Sequence, residues 1–233
     1  MWEGLLKPSP AEIIRELGPF TGVSQIGGVS FDGERVWIAA GDRLLAIDPM
    51  NGAVRRSLAV AGHAGTAFDG RHLFQIAEGR IQKVDPESGR VLATIPAPGG
   101  TGSSGLAWAE GMLWVGHNRE RKIYEIDPET GAVLRTITSN RFVTGVTWVD
   151  GELWHGTWES DESELRRIDP QTGKVLESLT MPAGSRVSGL EWDGGELFFC
   201  GGGASGKVRV VRRPERGVRS EETVASPVDA TEA

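Results

Sequence analysis

The side chains best suited to chemistry are few and widely spaced. Trp158-Glu159-Ser160-Asp161 sets an indole beside two carboxylates, and Glu191 stands where an inner strand elsewhere repeats small residues. A carboxylate among Ser30, Ala67, Ala107 and Thr147 either lines a channel or pairs with an arginine. His117 is the partner that could share a proton with Glu159 or Glu191, which makes these three the candidate catalytic groups. Arg141 and Arg186 are either anion clamps or ordinary surface arginines. Gln25, His63, Ser104 and Asn118 add hydrogen-bonding capacity, and Trp158 would form an apolar wall.

Other chemistries lack their signatures. His63 and His117 have no close His or Asp neighbour at metal-ligand spacing, so no metal or other cofactor is expected. Gly201–Gly206 is glycine-rich but lacks the Gly-Lys-Ser/Thr ending of a phosphate loop. No Gly-x-Ser-x-Gly elbow is present, and the single cysteine, Cys200, reads as buried and inert.

The composition narrows the partners. A net charge of −7 over 233 residues argues against nucleic acid or an anionic membrane surface, both of which select basic faces. The first residues show no basic region followed by an apolar run, and no stretch is long enough to span a bilayer. The expectation is a cytoplasmic monomer that meets a small polar molecule or a peptide N-terminus.

The elements that must position these groups are repeats. Asp-Pro-x-x-Gly begins at residues 48, 85, 127 and 169, a period close to that of a propeller blade. Inner strands ending in an aromatic keep the same period: Val29-Ser30-Phe31, Thr66-Ala67-Phe68, Leu106-Ala107-Trp108, Val146-Thr147-Trp148 and Leu190-Glu191-Trp192. Their partner strands carry Trp37, Phe74, Trp114, Trp154 and Phe198, read as packing between blades. The pattern predicts an all-β, five-bladed propeller of four-stranded blades over residues 1–213, with 214–233 a disordered tail. The fifth blade lacks an outer strand, and the N-terminal segment near 12–17 resembles the outer strands of other blades. It is expected to close the ring, a local helix over Ala11–Leu17 being the competing reading. The candidate residues then fall on the face formed by inter-blade connections and the loops between second and third strands, where a repetitive scaffold varies.

Blade order and local sequence resemble the plant-type glutamine cyclotransferase (glutaminyl-peptide cyclotransferase) family of five-bladed propellers. The likeness is most specific at Gly151-Glu152-Leu153-Trp154 through Trp158-Glu159-Ser160-Asp161, and Ser188-Gly189-Leu190-Glu191-Trp192-Asp193 is similar to a second motif of that family. The resemblance implies a central cavity that receives an N-terminal glutamine, cyclised with release of ammonia. It also implies a proton-transferring carboxylate where this chain has Ala64-Gly65-Thr66. Thr144-Gly145 and Ser188 likewise replace expected polar residues, and Lys207 is displaced from Gly201-Gly202. The expected activity is therefore binding of a small polar or peptide-like ligand at the channel mouth without cyclisation. The alternatives are an enzyme with replaced acid/base groups and a protein-interaction scaffold.

Overall fold

Each of the four Asp-Pro turns is built by its aspartate. Asp48 Oδ1 accepts hydrogen bonds from the amides of Met50 (2.8 Å) and Asn51 (3.2 Å), and the Gly52 amide donates to the Asp48 carbonyl at 2.9 Å. Gly52 takes φ +74°, a left-handed conformation that a Cβ would strain. Asp85, Asp127 and Asp169 repeat the arrangement. Hydrogen bonds hold all four carboxyls below their ordinary pKa, chiefly from Arg55 for Asp48 and from backbone amides for the others.

These turns join the third and outer strands of four blades. The structure, a computed structural model, describes residues 7–215 and is all-β apart from a 3₁₀ turn at Gly100–Gly102. Blade one comprises Gly28–Phe31, Val36–Ala39, Leu44–Ile47 and Val54–Leu58. Blade two comprises Thr66–Phe68, Leu73–Ala77, Arg80–Val84 and Val91–Pro96. Blade three is Ser103–Ala109, Met112–His117, Lys122–Ile126 and Val133–Thr138, and blade four is Val143–Val149, Glu152–Thr157, Glu164–Ile168 and Val175–Thr180.

Blade five is assembled from both ends of the chain. Gly189–Trp192, Leu197–Gly201 and Val208–Arg212 are completed by Ile13–Leu17, paired antiparallel with Leu17 opposite Val208. Unpaired, Val208–Arg212 would leave a row of open backbone groups, which the N-terminal strand satisfies. Glu16 adds ion pairs to Lys207 (2.7 Å) and Arg209 (2.9 Å). The segment is a strand, so the helical reading of Ala11–Leu17 fails. Just before it, Ser9–Pro10 runs parallel to Leu179–Thr180 of blade four, so one segment ties two blades. Most of the tail expected at 214–233 lies outside the described residues.

Aromatic pairs join neighbouring blades. Phe74 stacks on Trp108 (5.4 Å), Trp114 on Trp148 (5.4 Å), and Phe199 meets Phe31 across the seam between blades five and one (5.5 Å). The assignment of Phe198 to the repeat position of Trp37 needs correction. Ser30 faces Trp37, whereas Glu191 faces Phe199. The hairpin of blade five carries one extra residue between its paired strands, so Phe199 holds the repeat position. Phe198 instead packs against Trp154 of blade four, 5.0 Å away.

At the axis the inner strands close on one another through glycine. A Cβ built on Gly28 would meet Gly65 Cα at 2.7 Å, one on Gly105 would meet Gly145 at 2.8 Å, and one on Gly189 would meet Gly28 Cα at 2.8 Å. Gly65 abuts Gly105 and Gly145 abuts Gly189 in the same way. Five glycines, one per blade, thus form a ring in which backbone touches backbone.

Candidate functional site

Each inner strand runs from the variable loop face toward its hairpin, so the residue before each ring glycine lies on the loop side. Those residues are Gly27, Ala64, Ser104, Thr144 and Ser188. All five line a depression of about 250 Å³ at the head of the axis, together with Gln25, His63, Thr101, Gly102, Ser103, Asn118, Arg119 and Arg186. Every blade contributes, and the glycine ring lies directly behind these five residues.

Small hydroxyl residues brace this layer. The Ser104 hydroxyl donates to the Val143 carbonyl of the next blade at 2.7 Å, and the Ser188 hydroxyl donates to the Ile26 carbonyl at 2.7 Å. Asn118 Nδ2 also donates to the Val143 carbonyl, at 3.2 Å. The Thr144 hydroxyl, at the position equivalent to these serines, is buried and has no hydrogen-bond partner among the described residues.

No carboxylate lines the depression among the described residues. The formal charges that line it among the described residues are Arg119 and Arg186, both exposed at its rim. Neither arginine has an acidic partner among the described residues, whereas nearby arginines do: Arg121 holds Glu159 at 2.6 Å and Arg166 holds Glu164 at 2.6 Å. Arg186 instead lies over the Trp158 ring, its Cζ 5.7 Å from the centroid.

Of the residues singled out from the sequence, Gln25, His63, Ser104, Asn118 and Arg186 come together here; the other candidates lie elsewhere. Trp158 lies outside the depression and touches it through Arg186. Glu159 is held by Arg121, and Asp161 occupies an exposed left-handed turn position with φ +62°. Arg141 does not point into a channel, because Glu164 at 3.5 Å and Glu162 at 3.8 Å draw it toward blade four.

The catalytic candidates do not converge. His117 is 3% exposed, wedged between Gly99 and Gly102, and both ring nitrogens face backbone. Nδ1 accepts the Glu120 amide at 3.2 Å, which leaves Nε2 to carry the proton toward the Gly99 carbonyl at 3.3 Å. Glu191 follows the ring glycine Gly189 by two residues, on the hairpin side. It accepts hydrogen bonds from the Thr147 hydroxyl (2.7 Å) and the Trp192 amide (2.9 Å). Burial of the carboxyl pushes its pKa up to about 7 against these two bonds. Cys200 is buried, and burial pushes its thiol up to about 12, leaving it protonated and unreactive at neutral pH.

Sequence reasoning missed Arg119, Thr101 and the glycine ring. The ring was legible as a glycine three residues before each inner-strand aromatic, from Gly28 and Phe31 to Gly189 and Trp192. Thr101 and Arg119 carry no repeat signal.

The fold and the head-of-axis depression define a five-bladed β-propeller. The chain belongs to the propeller family described as "Outer membrane protein assembly factor BamB", whose model matches residues 77–233. No curated protein matches it. Among solved structures it is similar to Myxococcus xanthus glutaminyl cyclase, at TM-score 0.73 and 19% identity, over 88% of this chain and 98% of that one. A chain of the mitotic checkpoint complex matches at TM-score 0.51 and 17% identity, over 82% of this chain and 64% of that one. Kuenenia stuttgartiensis hydrazine synthase matches at TM-score 0.50 and 18% identity, over 77% of this chain and 56% of that one. At these identities the likeness is one of fold, so the glutaminyl cyclase resemblance stands as architecture.

Proposed function

We propose that this propeller binds a small polar ligand in the depression ahead of its glycine ring and does not cyclise N-terminal glutamine. One observation carries the reading: residues from five blades meet in a concave, polar space of about 250 Å³ where, among the described residues, no acid stands to move a proton from an amine. Ala64 stands where the cyclotransferase resemblance implies a carboxylate. Glu159, Glu191 and His117 are each held elsewhere. A peptide N-terminus is a poorer occupant than a neutral or anionic molecule, since an ammonium would meet two arginines.

The test is a thermal-shift screen of amino acids, short peptides and small polar metabolites against wild type and Thr101→Trp. Thr101 is an exposed lining residue, so an indole there obstructs the depression without entering the core. Ligands that stabilise wild type should fail to stabilise the variant. Equal stabilisation of both would refute the assignment, as would ammonia release from a glutaminyl peptide that Thr101→Trp abolishes.

A scaffold reading is favoured by the family's description as an outer membrane protein assembly factor and by exposed apolar side chains on outer strands, Val54, Val91, Leu92, Val133 and Leu134. It predicts that Leu92→Glu with Leu134→Glu weakens association with a protein partner and leaves the ligand response of the depression unchanged.

A further inference from the structure

We infer that the ligand of this depression is a small oxyanion, a carboxylate or phosphate, received between Arg119 and Arg186. The inference rests on the proposed ligand site and specifies what occupies it. An exposed arginine without a partner means little by itself. Here two of them, from the second-to-third strand loop of blade three and the connection between blades four and five, border one depression that no carboxylate lines among the described residues.

The local charge runs against the rest of the molecule. The chain carries a net charge of −7, yet several acids of the surrounding loops are engaged by other groups: Glu120 by Lys122 and Tyr124, Glu159 by Arg121, and Glu162 and Glu164 by Arg141, while Glu78 and Asp161 do not line the depression. Neither guanidinium has an ion pair among the described residues, and the concave surface strengthens their field on a bound anion. Arg186 is also restrained by its stack on Trp158, which lowers the ordering required when a ligand arrives. A planar guanidinium presents paired donors that match the oxygens of carboxylate or phosphate. The remaining polar groups suit the rest of such a ligand. Gln25 and His63 reach in from blades one and two, and Thr144 and Ser188 line the same space.

The experiment is a titration of the isotopically labelled protein, followed by amide and arginine side-chain NMR at constant ionic strength. The probes are succinate, inorganic phosphate, putrescine and N-acetylglycinamide. Succinate or phosphate should shift resonances of residues 101–104, 118–119 and 186–188. Arg119→Gln with Arg186→Gln should weaken that binding at least tenfold. Arg71→Gln with Arg90→Gln, the same charge change at exposed turns on the other face, should leave it unaltered. A response to only one anion identifies the oxyanion class and supports the inference. Binding of putrescine or N-acetylglycinamide without either anion overturns it and leaves the polar-ligand site standing. Silence of the depression toward all four probes overturns both. Anion binding that survives the double substitution overturns the assignment to these arginines.

Discussion

Gly189 of the fifth blade lies so close to Gly28 of the first that a Cβ on Gly189 would sit 2.8 Å from the Gly28 Cα. This contact closes a ring that separates two polar regions of the axis. The loop-side depression is on one side and Glu191 on the other, so a group on one side does not assist chemistry on the other.

Substituting a ring glycine should therefore damage the whole propeller. A Cβ on Gly145 would meet Gly189 C at 2.6 Å and Leu190 Cβ at 2.8 Å, and the obstructing backbone cannot swing aside. Gly145→Ala should destabilise by about 3 kcal/mol or more, as overpacking against backbone does. Gly151→Ala faces open space at φ +83° and should lose only about 1 kcal/mol, from backbone strain. Chemical denaturation of the two variants makes the comparison.

The two tryptophans of blade four should behave differently. Trp154 is 2% exposed and packs on Phe198, so Trp154→Ala should destabilise by about 3–5 kcal/mol. Trp158 is half-buried and outside the aromatic repeat, so Trp158→Ala should change stability by no more than about 1–2 kcal/mol. It should weaken ligand binding by releasing Arg186. Melting curves with and without ligand would reveal the reverse order if Trp158 belongs to the core.

The pH dependence contains two opposing contributions. Burial pushes His155 from 6.5 down to about 4, so below pH 6.5 the unfolded chain takes up a proton that the fold refuses, and stability falls toward pH 4. Burial pushes Glu191 from 4.5 up to about 7, so above pH 4.5 the unfolded chain releases a proton that the fold retains, and stability falls toward pH 7. The windows overlap between pH 4.5 and 6.5, where the slopes oppose each other. Glu191→Gln should remove one of them and make stability rise with pH across that window, by up to about 1.4 kcal/mol per pH unit relative to wild type. A wild-type slope retained in Glu191→Gln would show that the carboxyl titrates normally.

The architecture was legible because each blade restates it. The Asp-Pro turns, the inner-strand aromatics and the outer-strand likeness of residues 12–17 each recur, and each has a local physical cause. The shift to Phe199 was hidden because the extra hairpin residue changes register without changing the sequence motif. The site was less legible because its members come from loops with no period. Gln25, His63, Ser104, Asn118 and Arg186 could be placed on the right face, but the partner of a charged side chain depends on tertiary proximity. Arg141 and Glu159 look free in sequence and are paired in the fold. Arg119 sits beside the suspected His117 and is the one of the two that borders the depression.

A crystal of the wild-type protein soaked with succinate and phosphate tests the central claim most directly. The account predicts ligand density ahead of the glycine ring, in contact with Arg119 and Arg186 and with side chains from at least three blades. Density beside Glu191 on the hairpin side, or in the lateral groove lined by His155 and Asn140, with the depression empty, would contradict it.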